Sequence, residues 1–154
     1  MAILAKLREF LEANQTAYSI HSHPEAYRAQ EIAALQHVKG RSLAKVVIVR
    51  ADGDFLMLVL PADLRVDFTK LKATLECGAV RLAQEAEFET LFPGCEVGSM
   101  PPFGNLYGLR VYMDASLKQA DEIVFNAGTH TLTVKMAFRD FESLVKPTVT
   151  DFAA

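Results

Sequence analysis

The chain has 154 residues, of which 51% are hydrophobic and 23% charged, the size and composition of a single folded domain. Its formal net charge of -3 argues against a protein covered with basic surface for long nucleic acids, but allows a local phosphate site. No apolar run reaches the ~20 residues that span a bilayer, and the start lacks a signal-peptide pattern. Cys77 and Cys95 form neither a disulfide framework nor a metal-binding spacing. We therefore expect reduced thiols and a cytoplasmic protein.

The first part of the chain predicts a helix, a short strand and a second helix. Apolar residues recur on one helical face up to Leu11, and Asn14 is a suitable helix end. A short strand is expected over residues 18–20, and Pro24 ends it. The next apolar periodicity, over residues 29–36, predicts the second helix.

The strongest β signal is a hairpin. Two apolar runs, residues 43–49 and 55–60, flank an Asp-Gly turn at residues 51–54. Neither run alternates between apolar and polar residues. The hairpin is therefore expected to be covered on both faces, inside a sheet wrapped by helices.

The second part of the chain mixes short strands and helices. Asp67 is placed to cap a helix that carries Phe68, Leu71 and Leu75. The remaining expected elements are strands over 80–82, 109–113, 122–126 and 131–136, and helices over 85–91 and 138–145. Because strands and helices do not alternate strictly, the pattern predicts an α+β fold with one mixed sheet. We expect the strand of Lys45 to be central in that sheet.

The segment from Val97 to Asn105 is the most unusual part of the sequence, since it combines glycines and prolines without any charge. Gly98 has no side chain to block a ligand, and Pro101 and Pro102 restrict the backbone around them. The amides of residues 98–100 are therefore suited to hold an oxyanion or a carbonyl oxygen in a cleft. A rigid turn without a chemical role is the alternative.

Lysine and histidine supply the other candidate groups. Lys45 is a lone cation within an apolar strand, so its side chain either reaches a strand edge or lies in a functional cleft. His130 stands beside a strand start, where a lone histidine is commonly a surface or hydrogen-bonded residue. His21 and His23 share one face of a strand, but no third ligand is evident, so no metal site is predicted.

Four short motifs follow one another along nearly the whole chain. They are His23-Pro24 with Ala29-Gln30-Glu31, Ala44-Lys45-Val46-Val47, Gly98-Ser99-Met100-Pro101-Pro102-Phe103-Gly104, and Asn126-Ala127-Gly128-Thr129-His130. In these motifs and their order the chain resembles the YbaK and prolyl-tRNA synthetase-associated domain family, which edits mischarged tRNA. The resemblance implies one editing domain over residues 1–154, α+β, with a mixed, partly closed β-sheet wrapped by helices and without a cofactor.

The resemblance also assigns roles to the candidate groups. The family's functional lysine corresponds to Lys45, its Gly-x-x-x-Pro signature to Gly98 and Pro102, and a pocket histidine of some members to His130. Lys45 and Gly98 are thereby implied as catalytic positions. The implied substrate-binding positions are Ser99, Met100, Pro101, Pro102, Phe103 and His130.

The implied reaction is hydrolysis of the ester that joins a wrongly attached amino acid to the terminal ribose of tRNA. The loop amides would hold the carbonyl oxygen and Lys45 the terminal phosphate or ribose. Water is the expected attacking group, because no Ser-His-Asp or Cys-His set is evident. The implied partners are the acceptor end of an aminoacyl-tRNA and, as a further candidate, an aminoacyl-tRNA synthetase. A non-catalytic binding module and a hydrolase of another small acyl ester are the alternatives.

The expected pocket takes a small, uncharged amino acid. Met100, Pro101 and Phe103 are apolar and rigid, so we expect graded rates for small esters and exclusion of large aromatic ones. Many similar sequences carry a small threonine where this chain has Arg28. Arg28 inside the pocket would favour an acidic or more polar substrate; the alternatives are that it faces solvent or a tRNA phosphate.

Overall fold

The structure, a computed structural model, describes residues 3–154 as five α-helices and eight β-strands. The helices are α1 (Ala5–Ala13), α2 (Ala29–Leu35), α3 (Phe68–Leu75), α4 (Glu85–Phe88) and α5 (Phe138–Val145). The strands are β1 (Tyr18–Ser22), β2 (Ala44–Ala51), β3 (Asp54–Pro61), β4 (Val80–Leu82), β5 (Arg110–Asp114), β6 (Glu122–Asn126), β7 (Leu132–Ala137) and β8 (Thr148–Thr150). Short 3-10 helices span Glu89–Leu91, Gly104–Tyr107 and Ala115–Gln119.

The strands form two sheets. One has five strands in the order β4-β2-β3-β5-β8, and the other has three in the order β1-β7-β6. In the larger sheet β5 pairs in parallel with β3 and β8, and the other pairs are antiparallel, which confirms an α+β fold with a mixed sheet. The larger sheet is open, with β4 and β8 at its edges, so the expected partial closure is absent from the part of the chain described.

A parallel bridge between Leu43 and Val124 links the two sheets. The expectation of one sheet was wrong, because β2 continues alongside β3 and β4 while β6 continues alongside β7. The strand of Lys45 is second in its sheet and β3 is central, since β8 adds a strand on the far side.

The β2–β3 hairpin confirms the expected turn and its two covered faces. Asp52 and Gly53 have positive φ angles of 49° and 91°, which glycine and aspartate tolerate in a tight turn. Met57 belongs to a core on one face, and Leu58 belongs to a second core on the other. Each such side chain stabilises the fold by about 1.5–3 kcal/mol when it is fully buried.

An aromatic cluster centred on Phe103 fixes the Gly/Pro segment to the larger core. Its ring centroid lies 6.0 Å from that of Phe10 on α1, 5.4 Å from Phe125 on β6 and 5.5 Å from Phe141 on α5. The ring has no solvent-exposed area. The segment is therefore held from beneath by elements of both termini and of the smaller sheet.

Local signals placed several elements correctly. The Asp67 carboxylate accepts hydrogen bonds from the amides of Thr69 and Lys70, which confirms the cap of α3. Asn14 is the C-cap of α1, as expected. The helix expected over residues 85–91 divides into α4 and a 3-10 turn, and β8 was not predicted. No helix within residues 3–154 is long and apolar enough to cross a membrane.

Candidate functional site

The turn that carries Gly98 is fastened to the turn between β6 and β7. Gly98 has a φ of +89°, a conformation that side chains other than glycine rarely adopt. The Ser99 amide and hydroxyl both donate to the Glu96 carbonyl oxygen, at 3.1 and 2.6 Å. Gly128 accepts from the Glu96 amide at 2.8 Å and donates to the Ser99 carbonyl at 2.9 Å. Two loops distant in sequence are thus joined by paired backbone hydrogen bonds.

The amides of this turn differ in how firmly they are paired. The Gly98 N–H donates to the thioether sulfur of Met100 at 3.3 Å, and a thioether is a weak acceptor. The Ser99 N–H is already bonded to a carbonyl inside the turn. The expectation that all three amides of residues 98–100 face a cleft is therefore corrected for Ser99. The Gly98 N–H loses only this weak hydrogen bond when it turns to a negatively charged oxygen.

His130 lies directly against Gly98. A Cβ atom built on Gly98 would be 3.5 Å from Cε1 of the imidazole. The ring is 6% exposed, and its Nδ1 atom has no hydrogen-bond partner among residues 3–154. Tyr27, 65% exposed, covers the ring at a centroid distance of 4.4 Å. The structure thus brings Gly98 and His130 together and leaves a polar atom there to be satisfied.

His23 adds a second buried imidazole on the segment that pairs with the backbone around His130. Its amide donates to the carbonyl of Thr131, one residue after His130. Its Nδ1 lies 2.7 Å from the Pro24 carbonyl oxygen, which can only accept, so Nδ1 carries the proton. The other ring nitrogen has no partner within the described chain. His21 is exposed and bonds Ser19, so the two histidines do not act as a pair.

The side chains after Gly98 are buried. They are Ser99, Met100, Pro101, Pro102 and Phe103. Met100 and Phe103 pack in the larger core, and the Ser99 hydroxyl is bonded to Glu96. The expected pocket wall of Met100, Pro101 and Phe103 is therefore corrected: these side chains anchor the turn, while Gly98 is exposed and available for contact.

Lys45 lies on the other sheet. Its Nζ atom donates to the Ala62 carbonyl at 3.4 Å, and the side chain is about half buried. Burial lowers the pKa of Lys45, the nearby charge of Arg65 lowers it further, and Asp63 acts in the opposite direction. Lys45 forms no ion pair within residues 3–154. It is a charged group held by one long hydrogen bond.

Lys45 and His130 come after the two residues that form the bridge between the sheets, one on each side of it. Lys45 is two residues beyond Leu43 on β2, and His130 is six residues beyond Val124, after β6. Because the bridge is parallel, both segments leave it in the same direction. That Lys45 and the Gly98 turn line one cleft stays a prediction.

A cavity of about 680 Å³ lies elsewhere. Lys39 and Arg41 line it together with Asp63 and Asp121, so its charges balance. Neither Lys45 nor Gly98 contributes to it. We place the candidate site at the Gly98 turn because buried, unpartnered nitrogen atoms are found there. In the part of the chain described, no group of three His, Cys, Asp or Glu side chains is arranged to hold a metal ion.

Tyr27 and Glu96 are neighbours of this turn that the sequence did not single out. Glu96 accepts a hydrogen bond from the His130 amide at 3.3 Å, and Tyr27 donates to Glu25 at 2.7 Å. Glu96 reaches the site because the two loops are fastened together, and Tyr27 because the Ala26 amide donates to the His130 carbonyl. An aromatic residue next to a His-Pro motif was the one sequence signal available.

The fold is shared with solved structures of low sequence identity. The hypothetical protein APE2540 has a TM-score of 0.85 at 22% identity, covering 97% of this chain and 99% of that one. A protein described as a candidate trans-editing enzyme for prolyl-tRNA synthetase has a TM-score of 0.83 at 20% identity, over 97% of this chain and 95% of that one. At these identities the likeness establishes the fold alone.

Sequence comparison defines the family. The family model of the aminoacyl-tRNA editing domain matches residues 23–144, and the chain belongs to this family, which confirms the resemblance. The proline–tRNA ligase of Lysinibacillus sphaericus is 31% identical over 121 residues, 77% of this chain and 21% of the ligase. The multifunctional Ser/Thr-tRNA deacylase ProXp-y of Escherichia coli is 28% identical over 127 residues, 77% of this chain and 75% of that protein. The chain thus spans about a fifth of the length of the ligase.

Proposed function

We propose that the chain is a trans-editing deacylase that hydrolyses the ester of a mischarged tRNA carrying a small amino acid. The observation that carries the proposal is the Gly98 amide, which has only a thioether as its acceptor and lies against the buried imidazole of His130. Family membership supports ester hydrolysis as the reaction. The name of the relative ProXp-y supports serine and threonine as candidates for the attached amino acid.

Gly98 stabilises the transition state in this proposal. Water adds to the carbonyl carbon, the bond from that carbon to the ribose oxygen breaks, and the ribose oxygen takes up the proton that the water loses, so that a free acid and a ribose hydroxyl are formed. The negative charge that develops on the carbonyl oxygen is held by the Gly98 N–H in place of the Met100 sulfur. One donor of this kind typically contributes about 3–4 kcal/mol. The positive φ of Gly98 keeps the amide clear of a side chain.

Lys45 positions the nucleic-acid end of the substrate. A half-buried ammonium without a carboxylate partner among the described residues suits a phosphate or ribose oxygen. Lys39 and Arg41 lie on the approach to β2, where Asp63 and Asp121 offset their charge. A few phosphate contacts of this kind give a modest affinity that falls with salt. The proposed partner of these groups is the acceptor end of tRNA. We also propose a synthetase as a partner and the cytoplasm as the location.

The space for the amino acid is bounded by backbone and by imidazole. The unpartnered Nδ1 of His130 is buried, and it can bond a small polar side chain or the attacking water once Tyr27, which covers the ring, moves aside. Arg28 is the exposed N-cap residue of α2, next to the exposed Tyr27. This placement favours contact of Arg28 with solvent or a phosphate over a role inside the pocket.

The test is deacylation of a panel of tRNAs charged with Ala, Ser, Thr, Phe or Asp. We expect turnover of the small esters with graded rates, and no turnover of the Phe ester. A chain that binds these tRNAs without releasing amino acid would be a non-catalytic binding module. A clear preference for the Asp ester that the Arg28→Ala variant abolishes would place Arg28 in the pocket and overturn the size-exclusion model.

A further inference from the structure

We propose that Glu96 binds the α-ammonium group of the aminoacyl ester and so distinguishes aminoacyl-tRNA from other acyl esters. The inference rests on the proposed function, because it concerns the same site. In this proposal Glu96 is the group that recognises the charged part of the substrate. The resemblance that identified Lys45, Gly98 and His130 did not include this residue.

The backbone of Glu96 is fixed while its carboxylate is available. Its amide donates to Gly128, and its carbonyl oxygen accepts from both the amide and the hydroxyl of Ser99. One carboxylate oxygen accepts from the His130 amide at 3.3 Å. Glu96 is exposed and forms no ion pair with any residue from 3 to 154. The site therefore holds an uncompensated negative charge in a defined position.

The position matches the geometry of the substrate. In an aminoacyl ester the ammonium nitrogen is bonded to the carbon next to the carbonyl carbon. A carbonyl oxygen bound to the Gly98 N–H therefore brings the ammonium close to the same turn. Glu96 is two residues before Gly98 in that turn and contacts His130, the residue that Gly98 also faces. Attraction between the two charges fixes the orientation of the ester.

The neighbouring groups reinforce the preference for a cation. Tyr27 presents an exposed aromatic ring over His130, and such a ring attracts ammonium groups on its face. The hydrogen bond to Glu25, burial, the charge of Glu25 and the charge of Glu96 all raise the pKa of Tyr27. Glu25 and Glu96 thus act on the same ring, and their two negative charges exceed the one positive charge of the neighbouring Arg28.

The test compares two esters of the same tRNA. One carries alanine, and the other carries lactate, in which a hydroxyl replaces the α-ammonium group at nearly the same size. We expect wild type to prefer the alanyl ester in kcat/KM by about tenfold more than the ratio of the two uncatalysed hydrolysis rates, the lower end for a hydrogen bond to a charged group because Glu96 is exposed. In Glu96→Gln the preference should fall to the ratio of the uncatalysed rates, because glutamine keeps the acceptor for the His130 amide and loses the charge.

Glu25→Gln is the matched control, since it removes the same charge from the same region while its partner is the Tyr27 hydroxyl. We expect this variant to retain most of the preference for the alanyl ester, because Glu25 acts only through Tyr27. An unchanged preference in Glu96→Gln, or an equal loss in both variants, would overturn the assignment of Glu96. The affinities of wild type and both variants for the alanyl and lactyl esters of the tRNA are compared in the same way. Glu96 is therefore tested even where wild type shows no turnover. Absence of turnover would contradict the proposed function alone.

Discussion

The Lys45 strand and the Gly98 turn, the two sides of the proposed site, are built differently. Lys45 belongs to a regular strand within a continuous antiparallel register and offers a side chain. Gly98 belongs to a turn between loops and offers backbone, with its following side chains buried below. A side chain on a strand can be replaced without disturbing the strand. A backbone donor cannot be removed without changing the turn that holds it, so the two sides should respond differently to mutation.

The largest expected effect is on stability, because the Phe103 cluster supports the Gly98 turn. Phe103→Ala removes a ring that has no exposed area and contacts three other aromatic rings. We expect a loss of about 3–5 kcal/mol in the free energy of unfolding, measured by urea denaturation. Phe103→Leu, which keeps most of the apolar volume, should lose much less. A cost below about 1 kcal/mol for Phe103→Ala would show that the turn does not depend on this core.

A smaller effect, confined to activity, is expected on the Lys45 side. Lys45→Met keeps the apolar stem and removes the charge. We expect kcat/KM to fall about 10- to 100-fold, as for the loss of a hydrogen bond to a charged group. Stability should not fall, because burial lowers the pKa of Lys45 and the folded state therefore disfavours its charge. Lys45→Ala should lose at least as much activity.

The measurement is single-turnover deacylation alongside thermal unfolding of the same preparations. Unfolding of Lys45→Met at a lower temperature than wild type, or an unchanged deacylation rate, would contradict a role for Lys45 in holding the substrate.

The third prediction compares two substitutions within the Gly98 turn. Gly98→Val places a side chain on a residue with φ +89°, at a cost of about 1–3 kcal/mol, and crowds His130. Ser99→Ala removes the hydroxyl bond to Glu96 and leaves the turn amide in place. We expect turnover to fall more in Gly98→Val than in Ser99→Ala, as measured by kcat at equal folded fraction. Wild-type kcat in Gly98→Val would mean that the turn is only structural.

Local signals account for most of what the sequence predicted correctly. The Asp-Gly turn and its apolar flanks predicted the β2–β3 hairpin, and Asp67 predicted the start of α3. Both depend on residues close in sequence. The Leu43–Val124 bridge depends on residues far apart, so the division into two sheets was beyond these patterns.

The same distinction applies to the site. Gly98 and His130 were selected by motif, and the structure places them in contact. The burial of Met100 and Phe103 was missed, because apolar residues in a loop can face either a pocket or the core. Glu96 gained its position from the hydrogen bonds between the Gly98 and Gly128 turns, which local sequence does not encode.

The bridge between the sheets has a consequence for how specificity evolves. Lys45 and His130 are carried by different sheets, and Leu43 and Val124 join those sheets in a small core beneath α2. Ala62 packs in that core and its carbonyl also binds Lys45. A change of side-chain volume there would alter the angle between the sheets and, with it, the span between the proposed phosphate and ester contacts. Selection can therefore adjust the substrate accepted through residues that never meet it.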